Sequence, residues 1–245
     1  MKRILFIIST LFFAGYSVTA QVRRPVLLND SDYDVGKPLR FGFSLGINSM
    51  DFDIKNSVTL EDASGEQFQY FAEATHLVPG FTVNAISDLR LSENLHLRFL
   101  PGYVFGQRNL DFYISKDNKT EYESTMKIES NFIDLPLGLK YLSQRVSNVR
   151  PYLYFGVDPR IDLAAYKRIK TEKGIYLRLQ KFNVYYEVGF GIDFFLTYFK
   201  FSTEIKFSSG MGSAISKDFA EDGKQYRDAI DILRSNMLII SFHFE

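Results

Sequence analysis

A strict alternation of apolar and polar side chains, first seen in residues 39–52, constrains this chain more than any other feature. Successive side chains of an extended chain point to opposite faces, so the alternation predicts a β-strand with one apolar and one polar face. The apolar face carries Phe41, Phe43, Leu45 and Ile47, and the polar face carries Arg40, Gly42, Ser44, Gly46 and Asn48.

The same pattern recurs about eight times. The predicted strands cover residues 39–52, 77–88, 95–106, 128–142, 152–157, 184–194, 199–207 and 236–245. Strands of about 10 residues suit a tilted crossing of a lipid bilayer, where a closed barrel satisfies every backbone hydrogen bond. We therefore predict an all-β fold, an up-and-down antiparallel transmembrane β-barrel of eight strands.

The connections between these strands alternate in length, which supports an outer-membrane barrel with long external loops and short periplasmic turns. An even number of strands then places both termini in the periplasm. The predicted turns are residues 92–94, 143–148 and 196–197, and the predicted loops are 53–76, 108–127, 162–181 and 208–234, the last with a helix near 219–233.

The first twenty residues predict a secretory signal peptide rather than part of the fold. Lys2 and Arg3 precede an apolar core, and Val18-Thr19-Ala20 is a small-residue site that predicts cleavage after Ala20. We expect residues 21–38 to form a periplasmic N-terminal segment and residues 39–245 to form the barrel domain.

A soluble lipocalin-like barrel is the alternative fold, with its apolar face turned inward around a ligand. The glycines favour the membrane barrel, because they concentrate on the polar face, where a crowded lumen needs small residues. An eight-stranded barrel is just wide enough to be filled by side chains. Prolines at positions 79, 101, 136 and 159 fall within or beside predicted strands and make the local register uncertain.

Charged side chains on the polar face predict an ion-paired lumen. Isolated buried charges cost several kcal/mol, so these groups should pair and make the barrel rigid, although an ion or proton path is an alternative. Glu187 with Lys200, and Asp193 with Lys200 or Arg40, are the pairs we expect. The candidate network is Arg98, Asp134, Lys140, Glu187, Asp193, Lys200, Glu204 and Lys206.

The sequence offers little for catalysis, metal binding or nucleic-acid binding. Of three histidines, His96 and His243 are predicted to face inward, and only His76, at a loop edge, suits an outer-membrane lipid-modifying enzyme. No serine or acid is spaced to complete such a site, and no calcium-loop pattern is present. Basic and acidic residues balance at 29 each. We expect no catalytic residue, metal or cofactor, and a partner in outer-membrane lipid rather than nucleic acid.

Several stretches resemble the PorT family of outer-membrane β-barrel proteins from the type IX secretion system of Bacteroidetes. They are residues 40–48 with Met50-Asp51-Phe52, residues 133–141, Arg150-Pro151-Tyr152-Leu153 with Asp162-Leu163-Ala164, and residues 198–207. The resemblance implies a role in exporting cargo that bears a C-terminal sorting domain, and in gliding species the motility adhesins. It also implies other secretion components, and cargo, as partners. A general adhesive or structural barrel is the first rival, and a lipid-modifying enzyme the second.

Overall fold

In the computed structural model, residues 27–29, 37–56, 60–61, 67–74, 78–116, 119–166, 177–219 and 229–245 are described. These described residues form fourteen strands and one 3-10 turn at Ala164–Tyr166. The strands are β1 Leu39–Asn56, β2 Leu60–Glu61, β3 Gln67–Glu73, β4 Pro79–Arg90, β5 Leu95–Phe99, β6 Gly102–Lys116, β7 Lys119–Asp134, β8 Leu137–Leu142, β9 Val149–Asp162, β10 Leu177–Leu179, β11 Phe182–Phe195, β12 Lys200–Gly210, β13 Ile215–Phe219 and β14 Ile230–Phe244.

These strands close into an antiparallel barrel with eight positions, as the sequence predicts. β5 with β6, and β7 with β8, each form one barrel strand that a proline interrupts. The ring runs β1, β4, β5–β6, β7–β8, β9, β11, β12 and β14, and β14 pairs with β1. Within the described ranges, no helix is both long and apolar enough to cross a bilayer.

The barrel is staggered by ten residues. A line of paired residues that leaves β1 at Phe41 returns to β1 at Asp51, by way of Ser87, Phe99, Leu137, Val157, Tyr186, Ser209 and Asn236. A stagger of this size accompanies a strand tilt of about 40°. The three connections 91–94, 143–148 and 196–199 lie at one end of the barrel, called here the turn end, and the opposite end is called the loop end.

The outer surface carries the apolar side chains that the alternation predicts. On β1 the outward apolar residues run from Leu39 to Ile47, and the next outward residues are Ser49 and Asp51. With a rise of about 3.3 Å per residue and the tilt above, this run covers about 20 Å along the barrel axis. The result is an apolar belt of the height expected for a bilayer-spanning barrel.

Much of the polar sequence predicted as loop is paired strand instead. The predicted loop 108–127 is wrong, because β6 and β7 form a hairpin that pairs up to Lys116 and Lys119. The predicted loop 53–76 contains the end of β1, the short β2 and β3, which pairs with β6. Both faces of a strand beyond the bilayer can be polar, so apolar alternation did not identify these segments.

The other two predicted loops also contain strands. In 162–181, β9 extends to Asp162 and β10 precedes β11; in 208–234, β13 pairs with β10 and β14 begins at Ile230. The expected helix near 219–233 is therefore wrong at Phe219 and from Ala229 onward, and residues 220–228 lie outside the described residues. The predicted signal peptide also lies outside them.

Candidate functional site: the barrel lumen

All eight residues of the predicted charge network point into the lumen. Each side chain is buried, and the seven on β5, β8, β11 and β12 lie toward the centre and turn end of the barrel. The alternation places them there, because inward and outward side chains follow each other along every barrel strand. They divide into a turn-end cluster and a central cluster, and Asp134 adjoins the second.

Arg98 is at the centre of the turn-end cluster. Its guanidinium lies 3.1 Å from Asp88, 2.6 Å from Glu245 and 3.8 Å from Glu204. Lys200 lies 2.6 Å from the other carboxylate oxygen of Glu245. Three carboxylates from three different strands or strand ends therefore surround one arginine, which ties together distant parts of the ring.

The second ion pair of the turn-end cluster joins Lys140 to Asp193. The ammonium of Lys140 lies 2.8 Å from each carboxylate oxygen of Asp193 and 3.8 Å from the centroid of the Tyr152 ring. Ser202 donates a hydrogen bond of 2.6 Å to the same carboxylate. The sequence did not suggest Lys140 as the partner of Asp193, because β8 and β11 are not neighbours in the ring.

In the central cluster, Glu187 lies between two cations. One oxygen of Glu187 is 3.1 Å from Arg160, and the other is 3.0 Å from Lys206. Arg160 also pairs with Asp158. The expected pair of Glu187 with Lys200 is wrong: in the β11–β12 register Glu187 faces Ser208, whereas Lys200 faces Phe195 near the turn.

Asp134 is held differently from the other acids. Asn84 donates a hydrogen bond of 2.9 Å to one of its oxygens, and Asp134 pairs with Arg160 in the backbone register of β7 and β9. A neutral amide donor therefore anchors this carboxylate beside the central cluster.

The lumen also contains several buried charged residues that were not part of the predicted network. Asp158 and Arg160 continue the even-numbered inward face of Tyr152, Tyr154 and Gly156, so a longer strand five would have included them. Asp88 belongs to the inward face of β4 in the same way. Among these residues are Asp88, Arg108, Asp158, Arg160 and Glu245.

Arg108 lies where the polar part of the lumen ends on the side of the loop end. Its guanidinium lies over the ring of Phe52, 4.1 Å from the centroid, and 5.6 Å from the centroid of Phe132. It donates hydrogen bonds to the hydroxyls of Ser130, at 2.7 and 3.0 Å, and of Ser235, at 2.5 Å. Two serines and two aromatic faces thus accommodate this buried cation.

An apolar cluster fills the loop end of the barrel beyond Arg108. Residues of β1, β3, β6, β7, β10 and β14 and two alanines from loop-end connections form it: Phe52, Ala72, Leu110, Phe112, Met126, Leu179, Ala214, Ala229, Ile230 and Leu233. The described interior is therefore ion-paired toward the turn end and apolar at the loop end.

The charged side chains of the lumen connect strands that are not neighbours in the ring. The carboxylates of the lumen contact lysine, arginine, histidine or asparagine side chains, and His96 lies 2.6 Å from Asp88. Within the described ranges no group of three histidines or acids could hold a metal ion. His76, the sequence-based candidate for catalysis, lies outside those ranges.

The solved structures to which this chain is similar include the following three. Neisserial surface protein A gives a TM-score of 0.43 at 11% identity, over 84% of this chain and 98% of that one. The outer membrane protein OprG from Pseudomonas aeruginosa gives 0.39 at 12%, over 83% and 92%. The outer membrane protease OmpT from Escherichia coli gives 0.40 at 12%, over 85% and 97%.

A comparison with curated protein sequences found no match. A comparison with family models did: the model described as "Outer membrane protein beta-barrel domain" matches residues 19–216, which is most of the chain. Together with the closed ring and its apolar belt, this match identifies the chain as a member of the outer membrane protein β-barrel domain family, an integral protein of the outer membrane.

Proposed function

We propose that this protein is a non-enzymatic outer-membrane component of the type IX secretion system. In this role it supports export of cargo with a C-terminal sorting domain, and in gliding species export of motility adhesins. The sequence segments that resemble the PorT family support the assignment, and they lie on β1, β7–β8, β9 and β12 of the barrel. Other secretion components, and cargo proteins, are the proposed partners.

The filled lumen is the observation that supports a mechanism by contact. Large side chains such as Arg98, Tyr152 and Tyr154 are fully buried in it, and the apolar cluster occupies its loop end. An exported protein needs a passage far wider than an eight-stranded barrel provides. The barrel would therefore assist export by binding other proteins at its ends.

The hairpin of β6 and β7 offers a surface for such contacts. It continues eleven residues beyond the outward Phe105, which corresponds to about 25 Å along the axis. The outer face of this hairpin and of the adjoining β3 carries a row of three aromatic rings: Phe71 of β3 stacks on Tyr113 at 5.3 Å, and Tyr113 meets Tyr122 edge-on at 5.9 Å. We propose that this end faces the cell exterior, with both termini in the periplasm.

A deletion strain tests the secretion role. We expect cargo with a sorting domain to accumulate in the periplasm, and wild-type protein to restore its export.

A variant with Tyr113→Ser and Tyr122→Ser tests the aromatic row, and Lys127→Ser on the same face of β7 is the matched control. Both variants should fold, judged by heat-modifiability on a gel, so that a loss of export in the first reports on contact.

The same experiment distinguishes the rival functions. Intact export with changed adhesion would contradict the secretion role and favour a general structural or adhesive barrel of the OmpA/OmpX-like type. The aromatic row, in which Tyr122 is exposed, gives that second candidate its support. A changed lipid A or phospholipid profile in the deletion strain, with normal export, would instead favour a lipid-modifying enzyme. Affinity purification from detergent-solubilised envelopes, read by mass spectrometry, then identifies the partner.

A further inference from the structure

The apolar belt has unequal height around the barrel. On β1 the outward apolar residues run from Leu39 to Ile47, whereas on β11 they run from Phe182 to Phe194, four residues more. Both runs begin beside the turn end, so the additional residues of β11 lie at the loop end. Four residues on a strand tilted by about 40° add about 10 Å along the barrel axis.

The register allows heights on opposite sides of the barrel to be compared. The line of paired residues from Phe41 to Asp51 crosses eight strand pairings and returns to β1 ten residues closer to the loop end. It reaches Tyr186 after five pairings, which corresponds to a rise of about six residues above Phe41. Tyr186 therefore lies level with Ile47 of β1. Four residues further toward the loop end, Phe182 lies level with Asp51.

At this common height the two sides of the barrel differ in chemistry. The β1 side presents Asp51 and Asp53, both exposed. The β9–β11 side presents an apolar surface in which Phe182 is 56% exposed and Met211 57% exposed. We call this surface the upper apolar patch: Ile161, Leu163, Phe182, Val184 and Met211.

The patch is continuous with the belt below it. Phe182 pairs with Ile161, and Ile161 pairs with Ile133, an outward apolar residue of β7 that belongs to the belt. On β11 itself Phe182 and Val184 lead directly to Tyr186 and Val188. No polar side chain on the outward face of β11 separates these residues from the bilayer-facing surface.

We propose that membrane acyl chains cover the upper apolar patch, so that the hydrocarbon region reaches about 10 Å higher on the β9–β11 side than on the β1 side. Continuity with the belt identifies the occupant as lipid, because the same acyl chains already face Tyr186 and Val188. The barrel thereby deforms the bilayer locally, on one side and in the leaflet at the loop end.

The chain has no tryptophan, so the fluorescence of a variant with one tryptophan comes from that position without a tryptophan background. We would refold Phe182→Trp, the positive control Phe190→Trp and the level-matched control Asp51→Trp into phosphatidylcholine vesicles, with or without bromine on the acyl chains. Brominated acyl chains should quench the tryptophan fluorescence of Phe182→Trp nearly as strongly as that of Phe190→Trp. The fluorescence of Asp51→Trp should remain almost unchanged. Heat-modifiability confirms that each variant is folded.

Leu163→Trp provides a second probe on β9, in case Phe182→Trp does not fold, and the same quenching is expected. If a folded variant with tryptophan in the patch emits at the long wavelength of Asp51→Trp and is not quenched, the proposal is overturned. The patch would then face water in the isolated protein and would be a surface for another protein. This outcome is independent of the secretion role, because the vesicles contain only this chain and lipid.

Discussion

At the scale of single residues, tyrosine rings over glycines shape the lumen. The ring of Tyr152 lies against Gly191, so that a Cβ on that glycine would overlap the ring. The hydroxyl of Tyr154 would lie 2.6 Å from a Cβ on Gly138 and 2.7 Å from one on Gly156. These glycines are required because the rings pass directly across the strand backbone.

This arrangement predicts unequal effects of two alanine substitutions on β11. Gly191→Ala should destabilise the barrel by about 1–3 kcal/mol, because the buried Tyr152 is held by a 2.9 Å hydrogen bond to Glu204 and cannot move aside. Gly189→Ala should have a much smaller effect, since the nearest atom to its Cβ, the Ile205 carbonyl oxygen, lies at 3.3 Å. Urea unfolding in detergent measures both; equal losses would contradict the assignment.

The Lys140–Asp193 pair permits a charge-swap prediction. Lys140→Asp or Asp193→Lys alone should cost about 3–5 kcal/mol, because each leaves a buried charge beside a like charge. The double variant should recover most of the loss, since it restores an opposite-charge pair. Unfolding midpoints test this, with Glu121→Lys, an exposed residue, as the control.

Export by the same charge-swap variants separates the two functions proposed for the lumen. If the network only makes the barrel rigid, the folded double variant should export cargo normally. A double variant that is folded and inserted but retains cargo would instead support an ion or proton path through the lumen.

The sequence predicts which face a residue occupies far better than which residue it contacts. The alternation of side chains along each strand is enough to place Glu187, Lys200 and Lys206 on the inward face. Their partners depend on the register of the hairpin and on the barrel stagger, and the sequence alone contains no measure of either. Lys140 and Asp193 illustrate the limit, since a strand of the barrel separates β8 from β11.

At the scale of strands, prolines interrupt hydrogen bonds without shifting the register. Pro101 separates β5 from β6, and Pro136 separates β7 from β8, but the pairing on either side continues in step. The carbonyls of Pro101, Pro136 and Pro159 accept hydrogen bonds from Ala85, Leu100 and Leu135 on neighbouring strands. Each proline thus loses only its own donor.

A charge on the outward face of β11 tests the position of the belt. Phe190 lies near the middle of the apolar run on β11, so Phe190→Arg should destabilise the inserted barrel by about 2–4 kcal/mol. Glu121→Arg, on the exposed hairpin beyond the belt, should change stability little. Folding into vesicles, followed by heat-modifiability and urea titration, measures the difference. Equal stability of the two variants would place Phe190 outside the bilayer.

The sequence predicted strands within the bilayer and missed those beyond it for one physical reason. Contact with lipid requires apolar side chains on the outer face, so within the bilayer apolar residues alternate with inward-facing polar residues. On the upper parts of β6 and β7 water contacts the outer face, so Asn109, Lys127 and Glu129 stand where apolar residues would otherwise be required.

At the scale of the whole molecule, the orientation in the membrane is testable with cysteine, which the natural chain lacks. Glu121→Cys at the loop end should react with a membrane-impermeant maleimide on intact cells. Ser92→Cys, in the turn between β4 and β5, should react only after the outer membrane is permeabilised. The opposite result would place the turn end at the cell surface.

The pairing of β1 with β14 has a consequence for the order of assembly. Phe43 stacks on Phe244 at 4.9 Å, and Arg98 and Lys200 both pair with Glu245, so these contacts form only when β14 is in place. Until then β1 has an unpaired edge on that side, and two lumen cations lack this carboxylate. Closure of the ring must bring together segments far apart in the chain, which is slow. The partly assembled barrel is therefore the species with an exposed strand edge, and pairing of β14 with β1 removes that edge in a single step.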